Sequence, residues 1–160
     1  MRVKTIIDEV YNDYKKPSML IATPKCGGKC WRELNLDESI CQNEQIKSQP
    51  TINLTNSNII NRYISNKLTN AVILAGLEPF EDFEDLIGFI REFRNTSSDD
   101  VIIFTGYYES EIKDEVNELK LFSEDNIIIK YGRYIPNAKP RYSEVLGVNL
   151  ASENQYAKVL

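Results

Sequence analysis

The sequence predicts an α/β fold with a parallel sheet, in a single domain that covers residues 1–160. Apolar runs without polar alternation recur along the chain, which is typical of strands buried on both faces of a sheet. Stretches with apolar residues at helical spacing separate these runs, as in folds built from successive βα units. With 160 residues, of which 42% are hydrophobic, the chain is long enough to build one core.

The predicted strands are short apolar segments that end near a glycine, a proline or a polar residue. They comprise residues 18–23, 71–75, 101–104 and 127–129, with residues 145–148 as a candidate fifth strand. Residues 1–17 favour neither helix nor strand. Residues 24–50 are predicted to form a long polar loop, and a loop of that length is usually functional or mobile.

Three helices are predicted between the strands. The first begins near Thr55, whose side chain can cap a helix, and runs through Ile64. The second covers residues 83–93, with acidic residues near its start, where the helix dipole favours them. The third is marked by apolar residues at helical spacing, Ile112, Val116 and Leu119.

The composition argues against several classes of function. A net charge of −5 disfavours nucleic acid as the main partner. The basic cluster of Lys130, Arg133, Lys139 and Arg141 is interpreted as a solvated loop. No apolar run is long enough to span a membrane, and the N-terminus lacks the apolar core of a signal peptide. The sequence therefore predicts a cytoplasmic protein.

The three cysteines are the most informative residues of the chain. Cys26, Cys30 and Cys41 are its only cysteines, all lie in the polar loop after the first long strand, and the chain has no histidine. A site for a soft metal must therefore be built from thiolates. Three thiolates are one short of a closed four-ligand site, and an iron–sulfur cluster is usually held by four cysteines. A three-cysteine cluster would leave one iron open to a small molecule.

The segments that follow the other strands also carry polar or flexible residues. They are Gly76-Leu77-Glu78-Pro79, Thr105-Gly106-Tyr107 and Tyr131-Gly132-Arg133. Ligands bind beyond the carboxyl ends of parallel strands. We therefore expect these segments and the cysteine loop to face one pocket.

In these segments the chain resembles the radical S-adenosylmethionine enzymes, in particular the small activating proteins of anaerobic ribonucleotide reductase. Cys26-Gly27-Gly28-Lys29-Cys30 reproduces the first gap of the family's three-cysteine motif, and Cys41-Gln42-Asn43 resembles its end. Gly76-Leu77-Glu78-Pro79 resembles the Gly-Gly-Glu-Pro motif. Thr105-Gly106-Tyr107 and Ala151-Ser152-Glu153-Asn154-Gln155 resemble two further segments of these activating proteins.

The resemblance implies a truncated, partial (βα) barrel and a radical mechanism. Cys26, Cys30 and Cys41 would hold a 4Fe-4S cluster that binds and reductively cleaves S-adenosylmethionine. Glu78, with Gly76 and Leu77, would receive the methionine ammonium, and Thr105 and Tyr107 would line the adenosine side. The implied partners are a glycyl-radical enzyme and a reductant such as flavodoxin or ferredoxin.

The chain also departs from the family pattern, and other readings stay open. Ten residues separate Cys30 from Cys41 where two are usual, and Leu77 replaces the second glycine of its motif. One alternative is a degenerate member with a structural or sensing metal site, either an iron–sulfur cluster or zinc with Glu33 or Asp37 as fourth ligand. Another is a metal-free α/β binding protein.

Overall fold

A computed structural model describes residues 1–122 and 126–160 of the chain. The strands are β1 (Arg2–Val3), β2 (Thr5–Val10), β3 (Ser18–Thr23), β4 (Ile52–Asn53), β5 (Ala71–Gly76), β6 (Asp100–Phe104), β7 (Ile127–Tyr131), β8 (Arg141–Ser143), β9 (Val148–Leu150) and β10 (Tyr156–Val159). The helices are α1 (Lys29–Arg32), α2 (Glu44–Lys47), α3 (Asn56–Ser65), α4 (Phe83–Arg94) and α5 (Lys113–Leu119). Short 3₁₀ turns lie at Glu38–Ile40, Pro79–Asp82 and Glu109–Glu111.

The main sheet has six strands in the order β10-β7-β6-β5-β3-β2. The four central strands, β3, β5, β6 and β7, are parallel, and both edge strands pair antiparallel to them. Each central strand lies beside the next one along the chain, with α3, α4 and α5 as the connections. Since such crossovers share one handedness, the three helices lie on the same face of the sheet. This arrangement is that of a partial (βα) barrel.

The two faces of the sheet are buried in different ways. Residues such as Met19, Val72 and Ile103 point to the helical face and join the larger core cluster with α3, α4 and α5. Their sequence neighbours, such as Ile73 and Ile102, point to the opposite face. That face is covered by Tyr14 and by apolar residues of the β8–β9 hairpin, Leu146 and Leu150. None of the described residues of α3, α4 and α5 belongs to the cluster on this inner face, and room remains on the face for a cavity.

The structure confirms the four principal predicted strands and the three predicted helices. Thr55 is the N-cap of α3 and accepts from the backbone of Asn58, as expected from its position. No helix within the described residues is long and apolar enough to cross a membrane.

Other sequence predictions are corrected. The candidate strand at residues 145–148 is wrong, because residues 144–147 form the turn of the β8–β9 hairpin and only Val148 lies in a strand. The ambiguous N-terminal stretch contains β1 and β2. The loop at residues 24–50 is interrupted by α1, α2 and a 3₁₀ turn, each of only three or four residues.

Gly76 ends β5 in a position that requires glycine. Its φ is +84°, and it pairs with Thr23 across the β3–β5 ladder. A Cβ at this position would lie 2.7 Å from the Cβ and 2.9 Å from the Cα of Ala22. Because the Cα cannot move away as a flexible side chain could, the close approach of β3 and β5 depends on the missing side chain.

We predict that Gly76→Ala lowers the free energy of unfolding by about 2–4 kcal/mol, from the left-handed backbone and the overlap together. The matched control is Gly88→Ala in α4, where the nearest atom to an added Cβ is 4.0 Å away. That change should raise stability by about 0.5–1 kcal/mol, because alanine is the better helix former. Urea denaturation of both variants measures the difference, and equal effects would contradict it.

Candidate metal centre and cofactor cavity

A cavity of about 350 Å³ lies at the carboxyl ends of the parallel strands, on the inner face of the sheet. This volume is in the range of small-molecule and cofactor sites. All three cysteines line it, together with Gly76, Leu77, Glu78 and Thr105. The structure thus brings together seven of the eight site residues predicted from the sequence. Tyr107 is the exception.

The start of the cysteine segment is fixed to the turn that follows β5. The backbone N–H of Glu78 donates to the carbonyl of Lys25 at 2.6 Å, and the N–H of Gly27 donates to Oε1 of Glu81 at 2.5 Å. Cys26 is reachable from solvent at the mouth of the cavity. Partial burial and the nearby carboxylates of Glu78 and Glu81 nevertheless raise the pKa of its thiol to about 11. Metal binding at this sulfur must therefore release a proton.

Cys30 lies against the segment that follows β6. A Cβ built on Gly106 would be 3.2 Å from Sγ of Cys30 and 3.5 Å from Oε2 of Glu78. The middle residue of Thr105-Gly106-Tyr107 therefore leaves open the space between a cysteine sulfur and the buried carboxylate. This gap, and a donor set of three thiols with no histidine, fit a sulfur-ligated cluster that keeps one position for a small molecule.

Glu78 is the buried acid of the cavity, with 6% of its surface exposed. Its Oε1 accepts from Thr105 Oγ1 at 2.7 Å and from the N–H of Phe80 at 3.2 Å, and its Oε2 accepts from the N–H of Gly106 at 2.8 Å. A carboxylate has about four acceptor positions, so these bonds leave room for one more donor. Burial raises the pKa of Glu78 to about 7 despite the three bonds.

The two other residues expected near the cofactor are placed differently from each other. Thr105 lines the cavity, but its hydroxyl is already engaged, because it donates to Glu78 and accepts from the N–H of Tyr107 at 2.9 Å. The Tyr107 side chain does not line the cavity. Its hydroxyl contacts Oε1 of Glu81 at 3.4 Å, and the ammonium of Lys29 lies 4.4 Å from its ring centre.

The interpretation of the basic cluster as a solvated loop is wrong for two of its residues, because Lys130 is half-buried at the end of a strand and Arg133 is buried. Lys130 is at the end of β7 and is the one cationic side chain among the described residues that line the cavity. Burial lowers its pKa to about 8, against the opposing effect of Glu78 and Cys30. No ion pair joins Lys130 to any described residue. Lys139 and Arg141 are exposed, as predicted.

Arg133 is 4% exposed and forms the most connected ion pair of the site. Its guanidinium binds both oxygens of Glu33, at 3.0 and 2.8 Å, and both oxygens of Glu111, at 2.8 and 2.7 Å. Its Nη1 also donates to the carbonyl of Gly106. Hydrogen bonds from Arg133 lower the pKa of Glu33 and lower that of Glu111 to about 2.

The C-terminal segment at residues 151–155 supports the end of β7. The Gln155 amide donates to the carbonyl of Gly132 at 3.2 Å, and the Asn154 amide donates to the carbonyl of Arg133 at 2.9 Å. Ser152 exchanges hydrogen bonds with the backbone of Ile135. Gln155 also lines the cavity. This segment therefore positions the loop that carries Arg133.

The zinc alternative loses both of its candidate fourth ligands. Glu33 is held by Arg133, Asp37 accepts from the N–H of Ser39 at 2.9 Å, and neither lines the cavity. Within residues 1–122 and 126–160, no three Cys, Asp or Glu side chains are arranged to hold a metal ion. The three sulfurs share a cavity, and a 4Fe-4S cluster takes one thiolate at each of three irons, so the sulfurs do not have to meet at one ion.

Sequence reasoning missed that Lys130 lines the cavity and that Arg133 pairs with Glu33 and Glu111. A signal for Lys130 was present, because in an extended strand it shares a face with Ile128, which belongs to the inner face. No sequence signal identified the partners of Arg133, because Glu33 lies 100 residues away along the chain.

Residues 29–155 match a protein family described as a 4Fe-4S single cluster domain. The match covers well over half of the chain, and it includes Cys30 and Cys41 but begins after Cys26. The chain therefore belongs to this family of cluster-binding domains, which is typical of radical S-adenosylmethionine activating enzymes. Its cofactor is a 4Fe-4S cluster, and S-adenosylmethionine is implied by the family. No curated protein and no solved structure matches the chain.

The low pKa of Glu111 predicts a stability contribution that depends on pH. Since the pKa is about 2 in the folded protein and 4.5 in an ordinary glutamate carboxyl, the contribution is present above pH 4.5 and is lost as the pH falls from there towards 2. Glu111→Gln should cost on the order of 1 kcal/mol at pH 7, since the partly open carboxylate is screened by solvent. The cost should shrink below pH 4.

Denaturation of wild type and Glu111→Gln across this range measures the effect. Glu118→Gln is the control, because Glu118 is exposed on α5 and forms no ion pair among the described residues. A cost for Glu111→Gln that did not change with pH would contradict the prediction.

Proposed function

We propose that this protein is a radical S-adenosylmethionine enzyme that reductively cleaves its cofactor to activate a glycyl-radical enzyme. The observation that carries the proposal is the placement of all three cysteines around the cavity that Glu78 lines. The family assignment supports the cluster and the class of enzyme. The activating role rests on the resemblance of Thr105-Gly106-Tyr107 and residues 151–155 to the activating proteins.

Cys26, Cys30 and Cys41 would hold the 4Fe-4S cluster in this proposal. When bound and reduced, the cluster supplies the electron that splits the sulfonium into methionine and a 5′-deoxyadenosyl radical. With three protein ligands, one iron of the cluster would remain for the methionine group. The open space beside Gly106 and Cys30 supports this assignment, because it lies between a proposed ligand and Glu78.

The methionine group of the cofactor carries an ammonium and a carboxylate close together. Glu78 would accept from the ammonium at its remaining acceptor position, in a charge-assisted hydrogen bond. Lys130 would bind the carboxylate, since it lines the same cavity and forms no ion pair with Glu78. Glu78 and Lys130 both line the cavity without forming an ion pair with each other, so an α-amino acid group of complementary charge suits the space between them.

A protein partner would complete the site. Excluding water protects a reactive intermediate from side reactions, and the cavity is open to solvent at Cys26. A docked glycyl-radical enzyme would close this opening. The electron would come from a reductant such as flavodoxin or ferredoxin.

We predict that anaerobic reconstitution gives a brown protein with about four irons, which forms 5′-deoxyadenosine from S-adenosylmethionine with dithionite. Replacing any one of the three cysteines by alanine should abolish both properties. Iron analysis and chromatography of the products provide the measurements. Full iron loading in Cys41→Ala would exclude Cys41 as the third ligand, and stoichiometric zinc without iron would refute the cluster.

A second prediction concerns cofactor affinity. Lys130→Met and Glu78→Gln should each keep the cluster and weaken the binding of S-adenosylmethionine by about ten- to a hundredfold, since each removes one charged hydrogen bond. Calorimetry measures the affinity, and Lys139→Met, at an exposed position, is the control. Thermal unfolding of Glu78→Gln shows whether a weaker affinity comes from a destabilised loop or from the lost contact with the cofactor. An unchanged affinity in both variants would remove these residues from the cofactor site.

One alternative function has a specific observation in its favour. A degenerate family member would hold a cluster for structure or sensing and would not cleave the cofactor. The ten-residue separation of Cys30 and Cys41 and the replacement of a motif glycine by Leu77 favour it. A cluster-replete, reduced protein that forms no 5′-deoxyadenosine, with or without a candidate partner, would establish this alternative.

A further inference from the structure

The position of Cys30 in the fold needs a physical explanation. Cys30 lies in α1, a helix of four residues that buries none of them. An isolated helix of this length is not stable in water, so interactions outside α1 must hold it in place.

Two charged residues on either side of Cys30 are connected through one pair of partners, Glu111 and Arg133. On one side, Lys29 Nζ lies 2.8 Å from Oε1 of Glu111. On the other, Glu33 receives two hydrogen bonds from Arg133, at 3.0 and 2.8 Å. Arg133 and Glu111 are themselves joined by two hydrogen bonds, at 2.8 and 2.7 Å. The four side chains alternate in charge in the order Lys29, Glu111, Arg133 and Glu33. Because Lys29 and Glu33 lie at the two ends of α1, the helix closes this series into a ring.

We call Lys29, Glu111, Arg133 and Glu33 the charged ring. Arg133 makes most of the hydrogen bonds within it. Its bonds to Glu33, Glu111 and the Gly106 carbonyl engage all three guanidinium nitrogens. The Gly106 carbonyl matters because an added Cβ at Gly106 would lie 3.2 Å from the Cys30 sulfur. Arg133 thus fixes both the helix that carries the sulfur and the backbone against which the sulfur lies.

We propose that Arg133 is a positioning residue that preorganises Cys30 for cluster binding through the charged ring. The ring holds α1 before any cluster arrives, so cluster binding does not have to order this helix. Lysine cannot replace arginine here, because a single ammonium cannot bind two carboxylates in a bidentate manner. The relevance of the position to catalysis rests on the proposed function, but the placement of the thiol does not.

The test compares the alkylation of the three cysteines in the full, cluster-free chain. Iodoacetamide labelling followed by mass spectrometry gives a rate for each thiol in wild type, Arg133→Met, Arg133→Lys and Glu33→Gln. Arg141→Met is the matched control, because Arg141 is exposed and outside the ring. Cys41 is an internal reference, since its backbone is bonded within its own turn, to Glu38.

We expect Arg133→Met to speed alkylation of Cys30 about fivefold or more relative to Cys41, the change that corresponds to the loss of an ion pair of roughly 1 kcal/mol. Glu33→Gln should give a smaller change in the same direction, and it serves as the test if Arg133→Met does not fold. Arg133→Lys should rescue only in part. After reconstitution, the same variants should lose iron to a chelator faster than wild type, in the same order.

Two outcomes would overturn the proposal. In the first, Cys30 reacts at the wild-type rate relative to Cys41 in both Arg133→Met and Glu33→Gln. In the second, all three cysteines accelerate equally in these variants, which indicates general unfolding. If the wild-type protein takes up no iron but the variants show the selective change at Cys30, the proposed function is refuted and the positioning role is retained.

Discussion

The site depends on the order of the parallel strands. Because β3, β5, β6 and β7 are neighbours in both sequence and space, their helices cover one face of the sheet and leave the other to a short hairpin. The same order brings four strand ends to one edge. The cysteines, the turn of Glu78, Gly106 and the loop of Arg133 follow these strands in sequence, so the topology alone makes them neighbours.

Two buried charged residues of opposite sign then hold the rim of the cavity. Glu78 joins the segment after β5 to the segment after β6, through Thr105 and Gly106. Arg133 joins the segment after β7 to the segment after β6 and to the cysteine segment, through Glu111 and Glu33. Apolar packing fixes distances only loosely at an open edge, whereas charged hydrogen bonds have defined lengths and directions. The backbone of Gly106 is bonded by both residues and lies beside the Cys30 sulfur, so both bonds bear on a proposed metal ligand.

The parts of the fold that were predicted from the sequence are those in which local pattern and tertiary burial agree. Buried strands such as Ala71–Gly76 are apolar throughout, and α4 has a continuous apolar face, so both could be recognised. The segment at residues 145–148 is equally apolar, but Leu146 is buried in a hairpin turn against the inner face. A run of apolar residues does not distinguish such a buried turn from a strand. The cavity could be predicted because strand ends converge. The partners of Arg133 could not, because an ion pair across 100 residues leaves no local signal.

The long separation of Cys30 and Cys41 gains a physical meaning from this arrangement. Loop closure becomes only slightly more costly with each added residue, so ten intervening residues do not prevent the two sulfurs from serving one site. The residues between the two cysteines also contribute to the structure, since Glu33 completes the charged ring and Ile40 lines the cavity. Beyond Cys41, Gln42, Asn43 and Ile46 continue the same wall. The residues between the two cysteines thus add to one side of the cavity and, through Glu33, connect the segment after Cys30 to Arg133.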